Sequence, residues 1–119
     1  MSAPFKNDTF VSEVEELLLQ VETATLALEQ HAGDTENVNL LFRALHTIKG
    51  SSAVVGLDAI ASFTHHLETA IDKVRSGSAR VTPSLVSVVL ACRDHIQSLM
   101  GAALEGVDIG QREQELGAA

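Results

Sequence analysis

The stretch Leu45-His46-Thr47-Ile48-Lys49-Gly50-Ser51-Ser52-Ala53 gathers the side chains best suited to chemistry. On a helix, residues three, four and seven apart share a face. His46, Lys49, Gly50 and Ala53 then form one stripe, beside an apolar stripe of Leu45, Ile48 and Ser52. The first stripe sets an imidazole and an ammonium among residues with almost no side chain. A neutral imidazole is a nucleophile through the lone pair of one ring nitrogen. An ammonium beside it can neutralise incoming phosphoryl oxygens. Gly50 costs a helix about 1 kcal/mol relative to alanine. Close approach by another molecule would account for that cost, and so would tight packing of two helices within the fold.

A second pattern supplies a matching flank. Ala61, His65, Glu68 and Asp72 fall to one side of its apolar stripe, and His65 and Glu68, three apart, are neighbours. If the two helices pair antiparallel about Gly56, His46 lies ten residues before the turn and Glu68 twelve after it, at nearly the same height. A carboxylate that accepts a hydrogen bond from one ring nitrogen fixes the tautomer and makes the other nitrogen more basic. The expected roles are His46 as nucleophile, Glu68 as orienter, Lys49 as phosphoryl partner and His65 as a further member of the network. Phe42 flanks His46 on the same side, and with Gly50 and Ala53 it is expected to meet a partner. His66, on the opposite flank, and His31, near the end of the first helix, are read as surface. His95 and Cys92 are read as packing.

Four long helical patterns must position these residues, over about 8–32, 36–55, 58–76 and 83–105. Asp8 is expected to cap the first, with Phe10, Val14, Leu17, Val21, Ala24 and Leu28 inward and Gly33 as a left-handed stop. Glu13, Glu15, Glu16 and Glu22 are read as solvated surface. Asp34 or Thr35 opens the second helix, whose stripe is Val38, Leu41, Leu45, Ile48 and Ser52, and Gly56 closes it. Asp58 is expected to cap the third, with Ile60, Phe63, Leu67, Ile71 and Val74 inward. Thr82-Pro83 starts the fourth, a cap followed by proline at the first helical position. Leu85, Val88, Val89, Cys92, Ile96, Leu99 and Ala103 are expected inward. A weaker pattern over 108–116 is read as a short fifth helix. No window alternates in the strand period. The expected fold is all-α, an antiparallel up-down four-helix bundle in a single domain, 1–119.

Bulk properties agree. The 119 residues suffice for one domain with its own core. Hydrophobic residues make up 45%, yet the aromatics are four Phe with no Trp or Tyr, which suits packed helices better than a sheet sandwich. A net charge of −8 argues against a nucleic-acid partner and against docking on an anionic membrane. No apolar run is long enough to span a bilayer, no signal-peptide pattern opens the chain, and Cys92 has no internal partner. A cytoplasmic protein is expected.

Phe42-Arg43-Ala44-Leu45-His46-Thr47-Ile48-Lys49-Gly50, then Gly56-Leu57, then Thr64-His65-His66-Leu67-Glu68, resembles the motif of histidine-containing phosphotransfer (HPt) domains. The resemblance runs over roughly 8–105. It is particularly close to the N-terminal phosphotransfer domains of chemotaxis histidine kinases of the CheA type. It implies that His46 is phosphorylated by a kinase's ATP-binding domain and is then the donor to an aspartate of a response-regulator receiver, CheY-like. It also places Lys49, His65 and Glu68 in a network around that histidine and Gly50 in a small-residue clearing. ATP and Mg2+ would come with the partners, the chain itself holding no cofactor or metal. Ser51-Ser52 departs from the smaller residues common in the chemotaxis kinases.

The chain has no glycine-rich phosphate loop, which fits a carrier that borrows its partners' catalytic machinery. It is short for a complete chemotaxis kinase, so an excised domain is expected, with a free-standing shuttle as the second option. A metal-binding bundle using His46, His65 and Glu68 is disfavoured, because bundle metal ligands usually point into the core. A bundle that kept the shape and lost the chemistry is disfavoured by the intact His46, Lys49, Gly50 and Glu68 set.

Overall fold

A computed structural model describes residues 6–106 and contains four helices: α1 (Asp8–Gln30), α2 (Thr35–Val54), α3 (Asp58–Arg75) and α4 (Pro83–Glu105). The expected helix at 108–116 lies outside the described residues. In the bundle α1 packs against α2 and α4, and α3 packs against α2 and α4, with the α2–α3 seam the most extensive.

The helix ends follow capping chemistry, with some changes of residue. Asn7, not Asp8, caps α1: its Oδ1 accepts from the Phe10 N–H at 2.9 Å. Asp8 sits in the first turn instead, where a negative charge suits the positive end of the helix. The left-handed stop expected at Gly33 does not form, since among the described glycines only Gly56, Gly77 and Gly106 have positive φ. The chain leaves α1 at His31 through a turn closed by the Asp34 N–H on the His31 carbonyl, 3.1 Å. Asp34 then caps α2, accepting from the N–H groups of Glu36 and Asn37.

Gly56, at φ 81°, closes α2 with a paired motif in which its N–H donates to Ala53 and that of Leu57 to Ser52. The connection is so tight that Leu57 both completes this motif and stands as the first flanking residue of α3. Asp58 is therefore inside the first turn, and no side chain caps α3. Thr82 Oγ1 caps α4 by accepting from Leu85 N–H at 3.1 Å, and Pro83 is the first helical residue.

The buried stripe of α2 is Val38, Leu41, Ala44, Leu45, Ile48 and Ser52. In α1 the core residue is Leu18, with Leu17 only partly buried. Among three successive leucines, periodicity alone does not single out the one aimed at the axis. In α4 the buried set is Val86, Val89, Ile96, Leu99, Met100 and Ala102, while Val88 is 53% exposed. Leu85, Cys92, Phe63 and Val74 lie at the core's edge. Arg93, one full turn after Val89 on α4, reaches across to α1, donating to the Leu18 carbonyl at 3.1 Å and pairing with Glu22 at 3.0 Å.

Candidate functional site

The α2–α3 seam carries the site. His46 Nδ1 lies 3.1 Å from Glu68 Oε2, and Lys49 Nζ donates to Glu68 Oε1 at 2.9 Å. The three side chains differ sharply in exposure: 62% for His46, 26% for Lys49 and 11% for Glu68. The carboxylate is thus sunk at the seam with one oxygen on each neighbour, and the imidazole stands outward from it.

Burial alone pushes the Glu68 carboxyl up, but the hydrogen bonds and charges of Lys49 and His46 outweigh it, and the net shift is downward from the ordinary 4.5. Glu68 is therefore ionised at neutral pH. An ionised carboxylate only accepts hydrogen bonds, so a neutral His46 must carry its proton on Nδ1. The Nε2 lone pair then points away from Glu68, on an exposed ring. This is the geometry of an oriented nucleophile.

Gly50 and Ala53 are exposed on the same face. A Cβ on Gly50 would meet nothing within 4 Å, so close packing inside this bundle does not explain the glycine. An open groove runs from His46 past Thr47, Gly50 and Ser51 to the start of α1. There Glu13, exposed as expected, accepts a hydrogen bond from Ser51 Oγ at 3.0 Å. Nothing in the helical periodicity of α1 marks that contact.

One expectation changes. His65 does not join the network: both Glu68 oxygens are taken from the α2 side, and His65 turns outward, its ring against that of His66 at 6.2 Å between centroids. His46, His65 and Glu68 accordingly do not form a three-ligand set. Among the described residues no group of three or more His, Cys, Asp or Glu is placed to hold a metal ion. Phe42, expected to meet a partner, has neighbours within the chain. It is partly buried, its ring is nearly parallel to that of His46 (16°, centroids 6.1 Å apart), and the Arg75 guanidinium lies over it at 3.9 Å. Arg75 escaped sequence reasoning. The available signal was Asp72 three residues before it, with which it makes an ion pair at 2.8 Å. His95 packs edge-on against Phe63, 4.6 Å between centroids.

A helical bundle, over the described residues, with a histidine held outward by a buried carboxylate fits a phosphotransfer domain, and the chain belongs to the Hpt domain family, whose model matches residues 8–106. Its relatives are more particular. The chemotaxis protein CheA of Rhizobium meliloti is 38% identical over 99 residues, covering 83% of this chain and 13% of the relative. CheA of Bacillus subtilis is 34% identical over 106 residues, 89% of this chain and 16% of the relative. The chain therefore spans less than a fifth of the length of these relatives.

Among solved structures, the CheA phosphotransferase domain from Thermotoga maritima superposes with a TM-score of 0.76 at 34% identity, covering 79% of this chain and 90% of that one. The phosphorylated P1 domain of CheA3 in complex with CheY6 from R. sphaeroides superposes at 0.79 with 28% identity, covering 92% and 86%.

Proposed function

We propose that this chain is the phosphotransfer domain of a chemotaxis-type histidine kinase and that His46 is its phosphoacceptor. The observation that carries the reading is the Glu68 carboxylate on Nδ1, which leaves Nε2 as the exposed nucleophilic atom. In the first transfer, Nε2 attacks the γ-phosphorus of ATP held by the kinase's ATP-binding domain. The bond from phosphorus to the ADP oxygen breaks, and an N–P bond forms. The ring becomes cationic as it does so, and Glu68 stabilises that charge through the proton retained on Nδ1. In the second transfer, an aspartate of a receiver attacks the same phosphorus and the imidazole leaves.

Lys49, one turn along α2, holds Glu68 in place and has further N–H donors for phosphoryl oxygens. Gly50 and Ala53 keep the approach clear. In this reading ATP and Mg2+ come with the partners, and use of ATP supports a cytoplasmic location. Among the described residues no helix is long and apolar enough to cross a membrane. The relatives named CheA, and the solved pairing of a phosphorylated P1 domain with CheY6, support both the parent kinase and a CheY-like receiver as partners. In this reading the domain works within a longer kinase, not as a free-standing shuttle.

The test is incubation with a chemotaxis-kinase core lacking its own phosphotransfer domain and ATP labelled at the γ-phosphate. The expected label is acid-labile and base-stable, absent from His46→Gln, and chased off by a CheY-type receiver with Mg2+. Label that survives acid, or that His46→Gln retains, would place the phosphoryl group on another residue and defeat the reading.

A further inference from the structure

The His46 imidazole has a second hold besides Glu68. One hydrogen bond pins one atom of a ring and leaves the ring free to rock about that point. The Phe42 ring, one turn earlier on α2, lies nearly parallel to the imidazole, with 16° between planes and 6.1 Å between centroids. That spacing is within the range of interacting aromatic pairs. Phe42 is itself covered, since the Arg75 guanidinium carbon is 3.9 Å from its centroid, well inside cation–π range.

Arg75 does not reach this position unaided. Its Nε and Nη2 both donate to Asp72 Oδ1, at 3.1 and 2.8 Å. Two donors along one edge orient the guanidinium plane and leave its face for the ring. On their own, Asp72 and Arg75 would be an ordinary half-exposed ion pair one turn apart, of little energetic weight. Here the pair ends on the ring beside the reactive imidazole. The sequence of contacts runs Asp72, Arg75, Phe42, His46, and it ties the last turn of α3 to the middle of α2.

We propose that Arg75 is a positioning residue for His46: by holding Phe42, it sets the ring angle at which Nε2 meets an incoming phosphorus atom. Its kinetic consequence rests on the phosphocarrier reading above, whereas its geometric consequence does not.

The test uses the intact chain with Arg75→Gln, Arg75→Lys and Phe42→Leu, singly and with Arg75→Gln combined with Phe42→Leu, each checked for an unchanged helical spectrum. Two rates are measured. One is phosphorylation by potassium phosphoramidate, in which the P–N bond of the reagent breaks and ammonia leaves, so that no partner protein is involved. The other is phosphorylation by a kinase core with ATP. NMR cross-relaxation between the Phe42 and His46 ring protons is recorded in parallel.

Arg75→Gln is expected to slow both reactions about twofold to fivefold, the rate equivalent of an exposed cation–π contact, and to weaken the ring cross-peaks. Arg75→Lys, which keeps the cation, should recover part of both effects. Adding Arg75→Gln to Phe42→Leu should change neither rate further. Slowing confined to the kinase reaction would make Arg75 a partner contact and overturn the proposal. So would an undiminished effect in the Phe42→Leu background, or ring cross-peaks that Arg75→Gln leaves unaltered. A wild-type chain that takes no label at His46 would defeat the phosphocarrier reading alone, and the cross-peaks would still decide whether Arg75 positions the ring.

Discussion

Nδ1 of His46 and Oε2 of Glu68 are 3.1 Å apart across the α2–α3 seam, although 22 positions separate the two residues in the chain. The tight Gly56-Leu57 connection brings them level, and Lys49, on the other oxygen, keeps the carboxylate from swinging away. In the proposed function, this contact is what leaves Nε2 as the exposed nitrogen of the ring.

Replacing Glu68 should therefore slow phosphoryl uptake more than it harms the fold. Glu68→Ala is expected to lower the phosphorylation rate about 10- to 100-fold, the usual scale for loss of a carboxylate that orients a histidine. Glu68→Gln, which can still accept from Nδ1, should fall between the two. Unfolding free energy should drop by only about 1–2 kcal/mol in Glu68→Ala, because Lys49 can turn to water. Quench-flow phosphorylation and urea unfolding measure the two effects, and an unchanged rate in Glu68→Ala would remove the residue from its role.

The same carboxylate makes a signed contribution to acid stability. Its folded-state pKa lies below the ordinary 4.5, so the unfolded chain takes up a proton there first as pH falls. The stabilisation it supplies is complete above 4.5 and is lost as pH drops through the lowered folded value. Urea titrations from about pH 7 to about pH 3 should show the stability gap between wild type and Glu68→Gln closing only in that acidic window. A gap that stays constant to the acid end would contradict the ion pairing.

Gly50 separates stability from function. A Cβ there meets nothing within 4 Å and the residue is in mid-helix, so Gly50→Ala should stabilise the protein by up to about 1 kcal/mol. The same methyl group would stand on the face that the proposed function gives to a partner, so phosphorylation by the kinase core should slow while the reaction with phosphoramidate changes little. Thermal unfolding and the paired rates measure it. A destabilised Gly50→Ala would show that the glycine serves the bundle after all.

The core assignment is open to a direct comparison within α1. Leu18→Ala should cost about 2–5 kcal/mol, the range for emptying a fully buried leucine site. Leu17→Ala, at the core's edge, should cost clearly less. Equal losses on urea unfolding would mean that the two leucines share the interior.

Much of this was legible in the sequence for physical reasons. In α2 and α3 the large apolar residues recur at helical spacing, so Leu45, Ile48, Ile60, Leu67 and Ile71 announced the core, although Thr64 is buried with them and Phe63 and Val74 lie at its edge. The same spacing set His46 and Glu68 outside it, level with each other about Gly56. Where apolar residues crowd together, as at Leu17-Leu18-Leu19 and around Val86 to Val89, more than one stripe satisfies the period and only packing chooses. Contacts between long side chains were equally hidden. Arg75 on Phe42, Arg93 on the Leu18 carbonyl and Ser51 on Glu13 depend on the distance between helices, which no single helix pattern encodes. His65 failed as a network member because adjacency on one helix says nothing about which way a neighbour's carboxylate leans.

Among the described residues, the two side chains against the imidazole, Phe42 and Glu68, come from a single helical hairpin, α2 and α3. Of the other two helices, α1 reaches the groove beside the ring through Glu13, and α4 packs against α1 and α3. The site is, in effect, portable: what must be inherited together is short, contiguous and folded back on itself.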